Sequence, residues 1–276
     1  MPARSAAESA LVVAEAGLGN KLRVVLSYLD VARRRGQQLV VFWRLSPECD
    51  ATFEELYFPL DGVRFLHALP PNLPIAPRGA YDTHPELQFS ERESAMYAQL
   101  RPRPSVAARV AARLKAFGGA EFCAIHVRRT DHAELFGERS PCRDVDFYAF
   151  CDRHDPLPIF IATDNAATQA AFAARYGARL RALTPMRPRR SKRNAPGADA
   201  AGARHTSVAD AVADLEACVM AKVFKGTELS SFSDAVLHLR RARGVAHTDD
   251  SHRIRKLGGK FPDDTDYSVP FRDVQT

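Results

Sequence analysis

Short apolar runs alternate with amphipathic helical segments along most of this chain. Near its start, an apolar run at residues 10–14 leads into residues 17–20, which read Gly-Leu-Gly-Asn. Apolar side chains then recur at the spacing of one helix face until Gly36, and residues 38–43 read as a second strand. Strand, helix and strand in this order predict a βαβ unit, the building block of an α/β fold with a parallel sheet.

The second half of the chain shows the same alternation. Its predicted strands are short and cover residues 122–127, residues 158–162, a run near Leu180 and residues 222–225. Its predicted helices start near Phe147, cover residues 166–176, follow a capping box that begins at Ser207, and cover residues 234–243. Two halves of this kind predict two Rossmann-like, doubly wound lobes that face a cleft.

A predicted helix at residues 105–117 ends at a pair of glycines, and this break divides the predicted lobes. Residues 1–118 would form an N-terminal, acceptor-side lobe and residues 119–276 a C-terminal lobe. In the second lobe, residues 184–204 are rich in Arg, Lys, Ala and Gly, a composition that cannot bury a core. We expect a mobile basic loop there. It should be solvated rather than bound to nucleic acid, because no aromatic side chain is interleaved to stack on a base.

The composition is that of a globular protein. With 276 residues, of which 46% are hydrophobic, the chain can form one large or two small cores. No apolar run approaches the roughly 20 residues of a membrane-spanning helix, and no signal-peptide core is present at the start. These observations predict a cytoplasmic chain without a membrane segment, or a Golgi or endoplasmic-reticulum location if the chain is a fragment. The five cysteines include no Cys-x-x-Cys pair, which argues against a zinc site and a disulfide framework.

The strongest chemical signal lies at residues 125–131, which read Ile-His-Val-Arg-Arg-Thr-Asp. An apolar run ends here in a histidine, two arginines and a carboxylate, where a buried strand would leave its sheet. Ligands bind at the carboxyl ends of strands in open α/β sheets, and a guanidinium group matches the oxygens of a phosphate. The segment therefore predicts a phosphate or diphosphate site. The alternative is a surface turn in which Arg128 pairs with Asp131.

Two further predicted strands also end in polar residues. Asp164 and Asn165 follow one strand, and the other leads into residues 226–234, which contain three serines. Backbone N–H groups at the start of a helix, together with hydroxyl groups, can bind phosphate oxygens. Serine is also an ordinary helix-capping residue, so capping by Ser231 or Ser233 is the alternative.

Four of these motifs occur in the order found in a known family. They are residues 17–20, 126–131, 162–165 and 230–233, which read Gly-Leu-Gly-Asn, His-Val-Arg-Arg-Thr-Asp, Ala-Thr-Asp-Asn and Ser-Ser-Phe-Ser. Their order resembles that of the GDP-fucose-dependent fucosyltransferases, most of all the α1,6-fucosyltransferase group and more distantly the protein O-fucosyltransferases. The resemblance covers residues 10–245. It implies a GT-B architecture and an inverting transfer of fucose from GDP-fucose to a glycan or protein hydroxyl, with no metal or other cofactor.

The same resemblance implies roles for individual residues. Arg128 would bind the diphosphate and balance the charge on the departing GDP, and His126 would help to hold the nucleotide. Asp214 would read the edge of the guanine base. The implied donor-binding residues together are Gly19, Asn20, His126, Arg128, Asp164, Asp214, Ser230, Ser231 and Ser233.

The catalytic base is the least determined part of the implied site. Transfer requires a carboxylate that takes the proton of the attacking hydroxyl. In the matching group the base lies a few residues after the His-Arg motif. Here Glu134 is nearest, although it lies closer to Asp131 than that spacing implies. Asp131 and Asp164 remain alternatives, and either could instead pair with Arg128 or cap a helix. A catalytically silent relative that binds nucleotide or glycan is therefore the alternative function.

Two other motifs favour simpler interpretations. Asp144 and Asp146 have the Asp-x-Asp form with which metal-dependent glycosyltransferases hold manganese, but they precede a predicted helix, and N-capping explains them more simply. The first glycine loop has Lys21 and Leu22 where a dinucleotide-binding motif has its third glycine. Because no acid ends the second strand either, a nicotinamide cofactor is not expected.

Overall fold

A computed structural model shows that the chain divides into two compact units, each built around its own sheet. The structure describes residues 8–71, 79–88, 90–129, 143–182, 186, 206–245 and 269–271. One unit comprises Met1–Arg101 with Leu257–Thr276, and the other comprises Pro102–Lys256. The predicted α/β class is confirmed, because helices alternate with mostly parallel strands in both units.

The first unit contains a five-stranded sheet. Its strands are β1 (Ser9–Ala14), β2 (Gln38–Trp43), β3 (Val63–Leu66), β4 (Gly79–Ala80) and β9 (Val269–Phe271). Four of them are parallel in the order β3-β2-β1-β4, and β9 pairs antiparallel with β1. The helices of this unit are α1 (Leu18–Arg34), α2 (Phe53–Leu56) and α3 (Glu91–Tyr97). Strand β1 is buried along its whole length, as expected for a parallel strand whose two faces are both covered.

The second unit contains a four-stranded, fully parallel sheet. Its strands are β5 (Cys123–Val127), β6 (Ile159–Thr163), β7 (Leu180–Ala182) and β8 (Val223–Lys225), in the order β7-β6-β5-β8. Its helices are α4 (Pro104–Lys115), α5 (Asp144–Arg153), α6 (Ala166–Tyr176), α7 (Val208–Met220) and α8 (Ser231–Ala242). The chain proceeds outward from β5 to β7 and then returns to add β8 on the other side of β5. This reversal creates a topological switch point between β5 and β8, where open α/β sheets bind ligands.

Alternation along β5 decides which of its side chains enter the core. Cys123, Ile125 and Val127 are fully buried and share a hydrophobic cluster with α5 and α6 side chains, which include Phe147 and Phe172. Successive side chains of a strand point to opposite faces of the sheet, so His126 lies on the other face. There its ring packs against Phe232 of α8. The one polar residue within β5 is therefore directed toward the helix that follows the switch point.

The division between the units differs from the predicted lobe boundary at residue 118. It follows Arg101, so that α4 belongs to the second unit. Two arginines of α4 explain this: Arg113 Nε lies 2.6 Å from Asp214 Oδ1, and an Arg109 guanidinium nitrogen lies 2.8 Å from Asp210 Oδ1, both on α7. The sequence marks the glycine pair as a break but does not reveal these ion pairs.

Two further differences concern element boundaries. Helix α8 begins at Ser231, whereas the sequence predicts residues 231–233 as loop, because hydroxyl residues are typical of loops as well as of first helical turns. Strand β9 pairs with β1, so residues 269–271 belong to the first unit rather than to the predicted C-terminal lobe. Apart from Met186, the predicted basic loop at residues 184–204 lies outside the described residues. No helix in the described ranges combines the length and apolar character that a membrane span requires.

We expect acid to weaken the contact between α4 and α7. Burial raises the pKa of Asp210, but the hydroxyl of Ser207 and the guanidinium groups of Arg113 and Arg109 donate hydrogen bonds to its carboxylate and hold the pKa below its usual value. A carboxylate whose folded-state pKa is depressed stabilises the fold fully above its unfolded-state pKa of about 4, and this stabilisation is lost as the pH falls through the folded value. Urea unfolding of the wild type and Asp210→Asn at a series of pH values should show a difference in unfolding free energy that shrinks below about pH 4. A pH-independent difference would contradict the assignment.

Candidate functional site

The loops after β5, β6 and β8 carry several of the predicted site residues. Strand β5 is followed by Arg128 and Arg129, and β6 by Asp164. Strand β8 leads through Gly226 and Thr227 into α8. Because the three strands are parallel neighbours, their carboxyl ends share one edge of the sheet, and this edge includes the switch point.

His126 is held at this edge by Ser233 of α8. The Nδ1 atom of His126 lies 2.7 Å from Ser233 Oγ, and the imidazole stacks on the Phe232 ring with a centroid distance of 4.3 Å. Ser233 is fully buried, and its hydroxyl also accepts a hydrogen bond from the N–H of Thr227 at 3.0 Å. The structure thus places Ser233 behind His126, in contact with protein groups.

Thr227 is a residue of this edge that the sequence-based site did not include. Its Oγ1 donates to the carbonyl oxygen of His126 at 2.7 Å and accepts from the N–H of Arg128 at 3.0 Å. The side chain is buried. The available signal was its position directly after a predicted strand, but threonine is also a frequent strand residue and so did not stand out.

The start of α8 presents a buried hydroxyl to which no described residue is hydrogen-bonded. Ser230 is the N-cap residue of this 12-residue helix, yet its side chain makes no capping hydrogen bond. Its Oγ atom is buried and has no hydrogen-bond partner within the described part of the chain. The preceding residue, Leu229, adopts a φ of 63°, which is unfavourable for a side chain of this kind. A buried hydroxyl beside the N–H groups of a helix start is suited to bind an anion.

The capping alternative for the serines receives no support at Ser231 and Ser233. Ser231 is already the first residue of α8, and Ser233 bonds to Thr227 and His126. Neither occupies the N-cap position, which belongs to Ser230. Ser231 is buried in the first helical turn, next to the Ser230 hydroxyl along the chain.

The loop after β6 holds the backbone after β5 from its other side. Asp164 Oδ1 accepts a hydrogen bond from the N–H of Arg129 at 3.1 Å. Asn165 caps α6 instead of Asp164, because its Oδ1 accepts from the N–H of Thr168 at 2.9 Å. Asp164 therefore serves at least to position the segment that carries the two arginines.

Arg129 and the Asp-x-Asp motif meet in the same region. The Arg129 guanidinium forms an ion pair with Asp144, and Asp146 Oδ2 accepts a hydrogen bond from the N–H of Arg143 at 2.9 Å at the start of α5. The capping interpretation thus holds for Asp146, and Asp144 serves as a partner of Arg129. Among the described residues, no three His, Cys, Asp or Glu side chains form a group suited to bind a metal ion.

Asp214 lies within the second unit but is engaged by an arginine. It is buried on α7, where Arg113 Nε donates to its Oδ1 at 2.6 Å. Its implied role in reading guanine remains a prediction. The remaining candidates for the base, Glu134 and Asp131, lie outside the described residues.

Gly19 and Asn20 belong to the first unit. Gly19 is buried in the first turn of α1, and Asn20 Oδ1 accepts a hydrogen bond from the Arg23 guanidinium at 2.7 Å. The next residue, Lys21, is buried, bonds to the Arg44 carbonyl and lies 5.0 Å from the centre of the Trp43 ring. Burial lowers the pKa of this amine despite nearby acidic groups that raise it. Lys21 therefore supports the packing of α1 on the sheet.

Comparison with solved structures identifies the fold. The NodZ α1,6-fucosyltransferase co-crystallized with GDP superimposes with a TM-score of 0.57 at 17% identity, covering 87% of this chain and 93% of that one. The chain has the fold of a fucosyltransferase. NodZ from Bradyrhizobium in another crystal structure gives a TM-score of 0.52 at 18% identity, covering 87% of this chain and 94% of that one. POFUT1 in its apo form gives 0.57 at 12% identity, covering 88% and 98%.

Sequence comparison agrees over part of the chain. O-fucosyltransferase 36 of Arabidopsis thaliana is 27% identical over 153 residues, which is 51% of this chain and 27% of the plant protein. No protein-family model matches. The chain thus spans about a quarter of the length of this curated relative. The resemblance that the order of motifs predicted is confirmed, and the two parallel-strand units agree with the expected GT-B-like class.

Proposed function

We propose that this protein is an inverting, metal-independent glycosyltransferase that transfers fucose from GDP-fucose to a hydroxyl of a glycan or protein. The observation that carries the proposal is the buried Ser230 hydroxyl at the start of α8, which has no partner in the described ranges. It lies on the loop that is bonded, through Thr227, to the backbone of Arg128. A diphosphate at this edge would receive hydrogen bonds from the helix start and from an arginine.

Charge development explains why these groups suit glycosyl transfer. As the bond between the sugar and GDP breaks, negative charge grows on the departing diphosphate. A fixed guanidinium group and the positive end of a helix can stabilise that charge without a metal ion. We assign this role to Arg128 together with the first turn of α8, and we assign nucleotide contacts to His126, Ser230 and Ser231.

Structures with the same fold support the choice of donor. The NodZ enzyme has been crystallized with GDP and soaked with GDP-fucose, and POFUT1 has been crystallized with GDP-fucose. For guanine we retain Asp214 as the proposed reader of the base edge. It forms an ion pair with Arg113.

The presence or absence of a catalytic base that takes the proton of the acceptor separates the proposed function from the second candidate, a binding protein. The proposed base is Glu134 or Asp131, with Asp164 as a further candidate. Asp164 already accepts the N–H of Arg129, which favours a positioning role for it. If neither of the other two carboxylates reaches the acceptor, the same site would bind nucleotide or glycan without transfer.

Calorimetric titration with nucleotides tests the proposal. We expect GDP and GDP-fucose to bind and UDP sugars to bind at least about 100-fold more weakly, because a site built to hydrogen-bond guanine leaves polar groups unpaired with uracil. The same affinities are expected in EDTA. Absence of heat with every guanine nucleotide, or equal affinity for UDP sugars, would contradict the proposed donor. Hydrolysis of GDP-fucose, or its transfer to an acceptor, then separates an enzyme from a binding protein.

A further inference from the structure

The backbone ladder between β5 and β8 ends two residues before Val127 and Thr227. Cys123 pairs with Val223 and Ile125 with Lys225. Continued by two residues, this register sets Val127 opposite Thr227. In a parallel ladder, the N–H of the residue opposite Val127 would donate to the carbonyl of the residue that precedes Val127. The carbonyl of that opposite residue would accept from the N–H of the residue that follows Val127. These two groups are the carbonyl of His126, in β5, and the N–H of Arg128, directly after β5.

The side chain of Thr227 takes both of these positions. Its Oγ1 donates to the His126 carbonyl at 2.7 Å and accepts from the Arg128 N–H at 3.0 Å. The backbone of Thr227 is thereby released from the sheet. Its N–H donates to Ser233 Oγ at 3.0 Å, and its carbonyl accepts from the N–H of Ser230 at 3.3 Å. One hydroxyl thus replaces a ladder residue, while the main chain of the same residue builds the start of α8.

Two consecutive backbone N–H groups are consequently fixed from opposite sides. Thr227 on the β8 side holds that of Arg128, and Asp164 on the β6 side holds that of Arg129. The direction in which the chain leaves β5 is set by this pair of contacts. The contact with Thr227 also joins the Arg128 backbone to the loop that carries the Ser230 hydroxyl.

We propose that Thr227 is a positioning residue that keeps Arg128 and the start of α8 in the arrangement in which both can bind the same diphosphate. This inference rests on the proposed function. A hydroxyl can donate and accept through a single atom in this way, and the β-branched side chain of threonine restricts its rotamers. Valine has nearly the same shape but can make neither bond. Serine retains both bonds.

The GDP affinities of three variants and the hydrogen exchange of the Arg128 amide test the proposal. Thr227→Val should weaken GDP binding by about 10- to 100-fold, because two hydrogen bonds that orient the site are lost. Thr227→Ser should restore affinity to within about threefold of wild type, since both hydrogen bonds can form again. Thr168→Val removes a hydroxyl from another buried threonine of the same unit, on α6, and should leave GDP affinity unchanged. Hydrogen exchange by NMR should show the Arg128 amide protected in wild type and Thr227→Ser, and exchanging faster in Thr227→Val.

The outcomes separate this inference from the proposed function. If wild type binds no guanine nucleotide, the proposed function fails, and the amide exchange still tests whether Thr227 holds Arg128. Faster exchange in Thr227→Val with unchanged GDP affinity overturns the positioning role and leaves the proposed function intact. Failure of Thr227→Ser to restore affinity also overturns it. Should Thr227→Val not fold, Thr227→Ala replaces it, and an unprotected Arg128 amide in wild type alone refutes the proposal.

Discussion

Arg128→Ala should severely weaken GDP and GDP-fucose binding and abolish any hydrolysis or transfer. Removing one partner of a close, hydrogen-bonded charge pair costs about 2–5 kcal/mol, or roughly 30-fold to several thousand-fold in affinity. The loss in transfer rate should exceed the loss in donor affinity, because charge on the diphosphate increases in the transition state. Calorimetry with GDP and an assay of released GDP measure the two effects.

Two controls separate the position of the charge from its mere presence. Arg241→Ala removes one positive charge from an exposed residue of α8 in the same unit, and we expect it to bind GDP as wild type does. Arg128→Lys keeps the charge but loses the planar fork, so an intermediate affinity is expected. If Arg128→Ala retains full affinity and activity, Arg128 does not hold the diphosphate. If Arg241→Ala is equally impaired, the effect is one of general electrostatic attraction.

The strand ends were predictable because their signal is local. In residues 122–127 a short apolar run is followed at once by charged residues, and a parallel strand that is buried on both faces has this appearance. The order of motifs along the chain then indicated which strand ends belong together. The structure confirms the α/β class and the resemblance, and it places the ends of β5, β6 and β8 at one edge.

The interactions that hold the site together were not predictable from local pattern. The bond between Thr227 and Arg128 joins residues 99 positions apart, and that between His126 and Ser233 joins residues 107 apart. Nothing in the sequence distinguishes Ser230, whose hydroxyl has no partner in the described ranges, from Ser233, whose hydroxyl is engaged. Asp214 likewise resembled a ligand-binding acid, and only the packing of α4 on α7 reveals its contact with Arg113. These distinctions depend on tertiary contacts.

Arg240 and Arg241 show most simply that the role of a side chain depends on tertiary contacts that a local sequence pattern does not reveal. They are adjacent and chemically identical, yet Arg240 is fully buried and Arg241 is exposed. Helix α8 directs the Arg240 side chain toward the C-terminal end of α7. There the guanidinium donates to the carbonyls of Val219 at 3.0 Å, Ala221 at 2.6 Å and Lys222 at 3.2 Å. The last carbonyls of a helix lack partners within the helix, and its C-terminal end favours a cation, so a buried arginine is stabilised at this point.

Arg240→Met should therefore be among the most destabilising single substitutions in the second unit. Methionine fills much of the same volume, but it leaves several buried carbonyls without a donor, and we expect the free energy of unfolding to fall by about 3–5 kcal/mol. Arg241→Met, the matched control, should change it by less than about 0.5 kcal/mol. Urea unfolding monitored by circular dichroism measures both. If the two variants are equally stable, the carbonyls at the end of α7 do not depend on Arg240, and α8 is held to the sheet mainly by its apolar face.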